Sequence, residues 1–243
     1  MTPLERTLVF WVPDWPIHAH LRDQEAEEQP QERVSPAQAA DPPPTNDRAI
    51  APIALIAQHR VVACSPAARA EGVRTGLRER EAQSRCPNLV VHAHQPEVDE
   101  RRFAPVVAAL EQLIPEIELR RPGLCAMRVR GPARYYGGEE PAAAALLQLA
   151  TELGFPLARV GIADGLFAAE QVVRAATTSP GVEAPADGIR ICAPGGSAAF
   201  LSQLPVSRAA SAGFADLLVG LGIRTLGALA ALKACGSPVR YGT

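Results

Sequence analysis

The sequence predicts an α+β fold. Three observations carry that prediction. Short β-branched or aromatic runs with the look of buried strands alternate with segments of helical periodicity; a helix, glycine turn and second helix follow one of those strands within 61–91; and the last third ends on two short apolar helices around Gly220-Leu221-Gly222. Residues 6–12 (RTLVFWV) read as a strand buried on both faces, ended by Pro13 and Pro16, with a short helix beginning over 17–21. From 23 to 49 the chain is polar and Gln/Glu/Ala-rich, with Pro42, Pro43 and Pro44 in succession. It carries too little apolar surface to offset the entropy of folding, so it is expected to be a disordered insertion. Residues 52–62 supply a pair of strands. The stretch 61–91 (VVACSPAARAEGVRTGLREREAQSRCPNLVV) then runs strand, Ala/Arg/Glu helix, Gly-Val-Arg-x-Gly turn, helix and Cys-Pro stop. Phe103, Val106, Val107, Leu110 and Leu113 recur at helical spacing within 98–113. Residues 117–130 read as two strand segments broken at Pro122-Gly123, 141–153 as an Ala/Leu helix, and 159–163 as a strand followed by a helix through 176.

Composition bounds the function. At 243 residues the chain can bury one large core or two modest ones, and 47% apolar content is ordinary for a soluble protein. Lys233 is the one lysine, so the arginines reflect a compositional bias and are weak evidence for phosphate binding. Five cysteines (Cys64, Cys86, Cys125, Cys192, Cys235) without a C-x-x-C pair suggest reduced thiols and a cytoplasmic protein. No basic leader precedes the first strand and no run of about eighteen apolar residues exists, so neither export nor a membrane span is expected. The formal charge is −2, of which residues 21–50 carry −4, leaving the rest at +2. That mild positive balance allows weak, sequence-independent DNA contact and argues against an autonomous basic DNA-binding domain.

The 61–91 segment resembles the palm-to-fingers passage of Y-family (translesion) DNA polymerases, which reads roughly V-V-x-x-x-Y-E-A-R-x-x-G-V-R-x-G-M and then A-x-x-x-C-P-x-L. Two further anchors follow in the family's order. Residues 129–137 (VRGPARYYG) resemble V-T-G-S-x-x-L-F-G, and Leu204-Pro205-Val206 with 221–229 resembles the thumb's L-P-V and L-G-I-x-T-L-G-x-L. The resemblance implies palm strands over 1–22 and 50–62, helical fingers inserted over 63–90, more palm over 91–180, and a thumb with a helix-hairpin-helix over 181–243; the little finger is absent from this sequence. In a helix-hairpin-helix, exposed amides of the hairpin, here Gly220, Leu221, Gly222 and Ile223, face a DNA phosphate. Simple packing of an apolar helical hairpin is the other reading.

Polymerases of this family hold two Mg²⁺ ions about 3.5–4 Å apart on carboxylates, because Mg²⁺ takes hard oxygen ligands. With Asp14 placed on the second aspartate of the family's D-x-D, the ligating first position is Val12. Counting back from 129–137, the family's adjacent Asp-Glu falls on Gly123 and Leu124. The resemblance therefore implies that the catalytic positions are degenerate, with no catalytic residues, no metal and no cofactor. Glu116 and Glu118 share one face of a strand, but Glu118 lies five residues from Gly123, about 16 Å along an extended chain and on the opposite face. The nucleotide-binding tyrosine position holds Pro66, and the phosphate-binding lysine position holds Leu166. Arg69 keeps the family's arginine, either as a residual phosphate contact or as a surface salt bridge with Glu71 or another acid.

Other constellations have plain readings. His18-Ala19-His20 and His92-Ala93-His94 lack companion ligands and read as partly exposed histidines near strand ends. Gly195-Gly196-Ser197 lacks the P-loop Gly-Lys-Ser/Thr and reads as a turn. Loss of the metal carboxylates and the opening W-V-P-D-W-P look most like ImuB-type proteins, notably the actinobacterial branch. Resemblance to them implies a non-catalytic adaptor in DNA-damage-induced mutagenesis, SOS response and repair, linking the sliding clamp, a RecA-like accessory protein and a C-family error-prone polymerase. The ending at Thr243 suggests a C-terminally truncated copy, which puts clamp binding in question. An active error-prone polymerase with displaced metal ligands and a truncated non-functional copy stay open as alternatives.

Overall fold

A computed structural model describes residues 5–28 and 51–235, which cluster into two compact units. One gathers 11–125 and 148–158; the other gathers the described parts of 1–10, 126–147 and 159–243.

In the first unit, helix α1 (Trp15–Glu28) leads to strands β2 (Ile53–Ala57) and β3 (Arg60–Cys64). Short helices α2 (Pro66–Ala70) and α3 (Glu79–Arg85), strand β4 (Val90–Ala93) and the long helix α4 (Pro96–Leu113) follow. The order within 61–91 is thus the one the sequence predicts. Strand β2 is central in a three-stranded sheet, antiparallel to β3 and parallel to β4. Gln58 and His59, both at positive φ (49° and 59°), close the two-residue β2–β3 hairpin. One sheet face packs Ala54, Val61 and Cys64 against Ala68, Val73, Ala82 and Cys86; the other packs Ile53, Leu55 and Ala63 against Ile17 of α1.

Helix α1 departs from expectation. The disordered stretch predicted for 23–49 begins helical, through Glu28, while 29–49 lie outside the described residues. The cause is tertiary: Asp23 accepts hydrogen bonds from Arg101 and Arg102 of α4, and Arg22 donates to the carbonyl of Leu153 (2.7 Å) and lies over the Phe155 ring. Those partners stand far away in sequence, so local composition could not report them.

A six-stranded sheet has the order β5-β6-β1-β7-β9-β8, formed by β1 (Arg6–Trp11), β5 (Glu118–Arg121), β6 (Leu124–Arg128), β7 (Arg159–Asp164), β8 (Val182–Glu183) and β9 (Ile189–Cys192). Strands β7 and β9 pair in parallel, with Gly161 opposite Arg190. Helices α5 (Arg130–Tyr136), α6 (Glu139–Glu152), α7 (Leu166–Val172), α8 (Ser197–Ser202), α9 (Ala212–Gly220) and α10 (Leu226–Cys235) complete the chain. Within the second unit α7 lies hard against β7: a β-carbon at Gly161 would stand 2.5 Å from the Val173 amide nitrogen, so only glycine permits this approach. Helix α5 falls where the sequence had suggested only a motif. No helix among the described residues is long and apolar enough to cross a membrane.

Candidate functional site

The three positions that the resemblance sets on the family's metal carboxylates, Val12, Gly123 and Leu124, meet where β1 ends and the β5–β6 turn begins. The Val12 amide donates to the Gly123 carbonyl (2.8 Å), and Val12 and Leu124 are both buried. Past Val12 the chain turns through Pro13 and Asp14; Asp14 sits at φ 54°, and its carbonyl accepts from the amides of Ile17 (2.9 Å) and His18 (3.3 Å), starting α1. The turn drives Trp15 inward, where its indole N–H donates to the Asp99 carbonyl (3.0 Å) and its ring meets Phe103 edge-on (4.7 Å) and Phe155 at a tilt (5.3 Å).

Trp15 decides what Gly123 can be. Gly123 has φ +82°, and a β-carbon there would stand 2.4 Å from Trp15 Cβ and 3.0 Å from its Cγ. The space that a side chain at position 123 needs is filled by tryptophan.

Arg69 is placed by α2. Ser65 caps that helix, accepting from the Ala68 amide (3.3 Å), and is itself fixed to the β2 segment by bonds from the Ile53 amide (3.0 Å) and to the Ala51 carbonyl (2.9 Å). Arg69 then makes a two-pronged pair with Asp14, Nη1 to Oδ1 at 2.9 Å and Nη2 to Oδ2. Of the two sequence readings, the structure shows the salt bridge, with Asp14 as the acid in place of Glu71. Hydrogen bonding to Asp14 raises the Arg69 pKa further above its ordinary value.

A pair of Mg²⁺ ions does not fit this set. Val12, Gly123 and Leu124 offer no side-chain oxygen, the Gly123 carbonyl accepts the Val12 amide, and both Asp14 carboxylate oxygens face Arg69. Glu116 and Glu118 do not share a strand face: Glu116 lies in a bend at φ 64° ahead of β5, and Glu118 pairs with Arg120. Among the described residues, no group of three His, Cys, Asp or Glu side chains is arranged to hold a metal ion.

The remaining sequence candidates resolve separately. His18 and His20 lie on α1, not beside a strand end; the His20 ring meets His92 at a tilt (4.3 Å), and His94 pairs with Asp99 (2.9 Å). Burial raises the Asp99 pKa, against the pull of His94. In the second unit, Arg6 joins Glu139 (2.7 Å) and Asp164 (3.2 Å), and the Gly195 amide (2.6 Å) and Ser197 hydroxyl (3.3 Å) donate to the Asp164 carboxylate. Gly195-Gly196-Ser197 thus binds an anion of the chain itself. Leu166, half-buried, opens α7 behind Gly165. In the α9–α10 hairpin the amides of Leu221, Gly222 and Ile223 donate to the carbonyls of Leu217, Val219 and Leu218, and Gly220 is the last residue of α9. The amides of Leu221, Gly222 and Ile223, expected to face phosphate, are therefore turned into the helix end. Trp15, the residue that shapes the site, was missed as functional; its place directly after Asp14 was the available signal.

No curated protein matches this chain. Among solved structures, it is similar to DinB from Sulfolobus solfataricus (TM-score 0.62, 16% identity) and to Dbh DNA polymerase in an insertion ternary complex (TM-score 0.63, 16% identity). A Y-family DNA polymerase chimera, Dbh-Dpo4(243-245)-Dbh, matches with TM-score 0.61 and 15% identity. Each match covers 93% of this chain, which spans 60% of theirs. The α+β fold read from the sequence is thus the fold of Y-family polymerases. Residues 44–173, more than half of the 243, match the IMS family, and the chain belongs to this impB/mucB/samB family.

Proposed function

We propose that the chain is a non-catalytic Y-family polymerase homologue of the ImuB type, an adaptor in DNA-damage-induced translesion synthesis. The observation that supports this reading is Trp15 filling the space at Gly123: a buried aromatic occupies the room a side chain at that position would need. The Arg69–Asp14 pair adds to it, since the residual arginine already holds an internal anion. The fold then serves to engage DNA weakly and without sequence preference, mainly through phosphate contacts. By family resemblance the partners are the sliding clamp, a RecA-like accessory protein and a C-family error-prone polymerase, with residues 63–90 as fingers and 181–243 as thumb.

The test is primer extension with Mg²⁺ and all four deoxynucleotides, alongside DNA binding across a salt series. The expected result is weak primer-template binding that falls steeply with salt, and no incorporation. Mg²⁺-dependent incorporation that disappears in Asp14→Ala would instead establish a polymerase with displaced ligands. The adaptor role has its own check: the chain, recovered from DNA-damaged cells, should bring the clamp or the C-family polymerase with it, and recovery of neither defeats that role.

A further inference from the structure

Away from the polymerase-like site, within the first unit, a cavity of about 280 Å³ opens between α1, α4 and the residues that follow α6. Its lining is Arg22, Arg101, Arg102, Pro105, Val106 and Leu153: three guanidinium groups and an apolar wall. One carboxylate answers two of them. Asp23 Oδ1 accepts from Arg101 Nη2 (2.7 Å), Arg102 Nη2 (2.7 Å) and Arg102 Nε (2.9 Å). Arg22 is held differently. Its Nη2 donates to the neutral Leu153 carbonyl (2.7 Å), its guanidinium lies 3.9 Å over the Phe155 ring, and a β-carbon at Gly154 (φ +83°) would stand 2.7 Å from Nη2. Burial lowers the Arg22 pKa; nearby Glu25 opposes that and Arg102 adds to it.

Arginine forks match the oxygens of phosphate and carboxylate, and a guanidinium already fixed by stacking loses little entropy on binding. The geometry points to a binding site for a small phosphate monoester, its phosphate on Arg22, Arg101 and Arg102 and its body against Pro105, Val106 and Leu153. The volume lies just under the usual range for ligand pockets, about 300–1,000 Å³, and suits a sugar phosphate better than a nucleoside triphosphate.

The experiment titrates the full chain with ribose 5-phosphate at fixed ionic strength, by calorimetry and thermal shift, with ribose, inorganic phosphate and a 5′-phosphorylated oligonucleotide as further probes. Ribose 5-phosphate should bind saturably and raise the melting temperature, inorganic phosphate should do so more weakly, and ribose should do nothing. Arg101→Gln, at a side chain 61% exposed and therefore tolerant of replacement, should weaken binding about tenfold with the circular dichroism unchanged. Val106→Trp, which fills the cavity and leaves all three arginines, should abolish it. The site is ruled out by no saturable effect up to about 10 mM, by undiminished affinity in Arg101→Gln, or by binding of the oligonucleotide alone.

Discussion

Gly123 and Asp14 are held by forces of different size. Gly123 combines a left-handed backbone, which costs other residues about 1–2 kcal/mol, with a β-carbon position 2.4 Å from a buried tryptophan, and overpacking of that kind costs about 1–3 kcal/mol more. Asp14 and Arg69 form a well-oriented pair, but their side chains are 24% and 40% exposed, and solvent screening limits such pairs to about 0–1 kcal/mol. Packing therefore outweighs charge here. Gly123→Ala should lower stability by roughly 2–5 kcal/mol, seen as a lower urea midpoint at unchanged slope, while Asp14→Asn should cost less than about 1 kcal/mol. If the two variants unfold at the same urea concentration, Trp15 yields readily and is not what closes the site. The same comparison explains why restoring an acid at position 123 by one substitution is expected to unfold the region before it rebuilds a metal ligand.

Elements governed by neighbouring residues were legible in the sequence. The 61–91 order follows from Val61-Val62, the Ser65-Pro66 helix start and Gly72 and Gly76, all local signals, and the structure reproduces it. The β2–β3 hairpin is a local element with an imperfect sequence. Gln58 and His59 both hold positive φ, as a type I′ turn requires, yet neither residue favours it. Replacing them with Asn-Gly should raise stability by about 1 kcal/mol, read as a higher melting temperature; a decrease would mean that His59 or Gln58 makes a contact worth more than the backbone strain. Elements fixed across the chain were not legible. The second half of α1 depends on Arg101 and Arg102, some eighty positions on, and the polar composition of 23–28 concealed it. Val12, Gly123 and Leu124 could be located by counting from motifs, but that Trp15 fills the space beside Gly123 depends on packing against Phe103 and Phe155. The hairpin glycines were visible; the inward direction of their amides was not, because the sequence pattern fixes a turn and leaves the hydrogen-bond partners open.

Across the whole molecule, cysteines report on both compact units. Cys64, Cys86 and Cys125 are buried in the first and Cys192 in the second. Thiol chemistry requires the thiolate and access, and burial removes access from all four. It pushes the Cys125 thiol up to about 12, and raises Cys64 and Cys192 as well. At pH 8 an aromatic disulfide reagent should therefore modify at most one of the five thiols quickly, and all five after denaturation. The four buried thiols should react only through opening of the surrounding structure, so sub-denaturing urea should speed them. Since the first unit holds three of them and the second holds one, mass spectrometry of partly labelled chains separates the two cases. Cys64, Cys86 and Cys125 labelled together, at a rate unlike that of Cys192, would mean that each unit opens on its own. One common rate for all four would mean that the chain opens as a single cooperative body. Two or more thiols reacting at the speed of a free small thiol would contradict the burial of these cores.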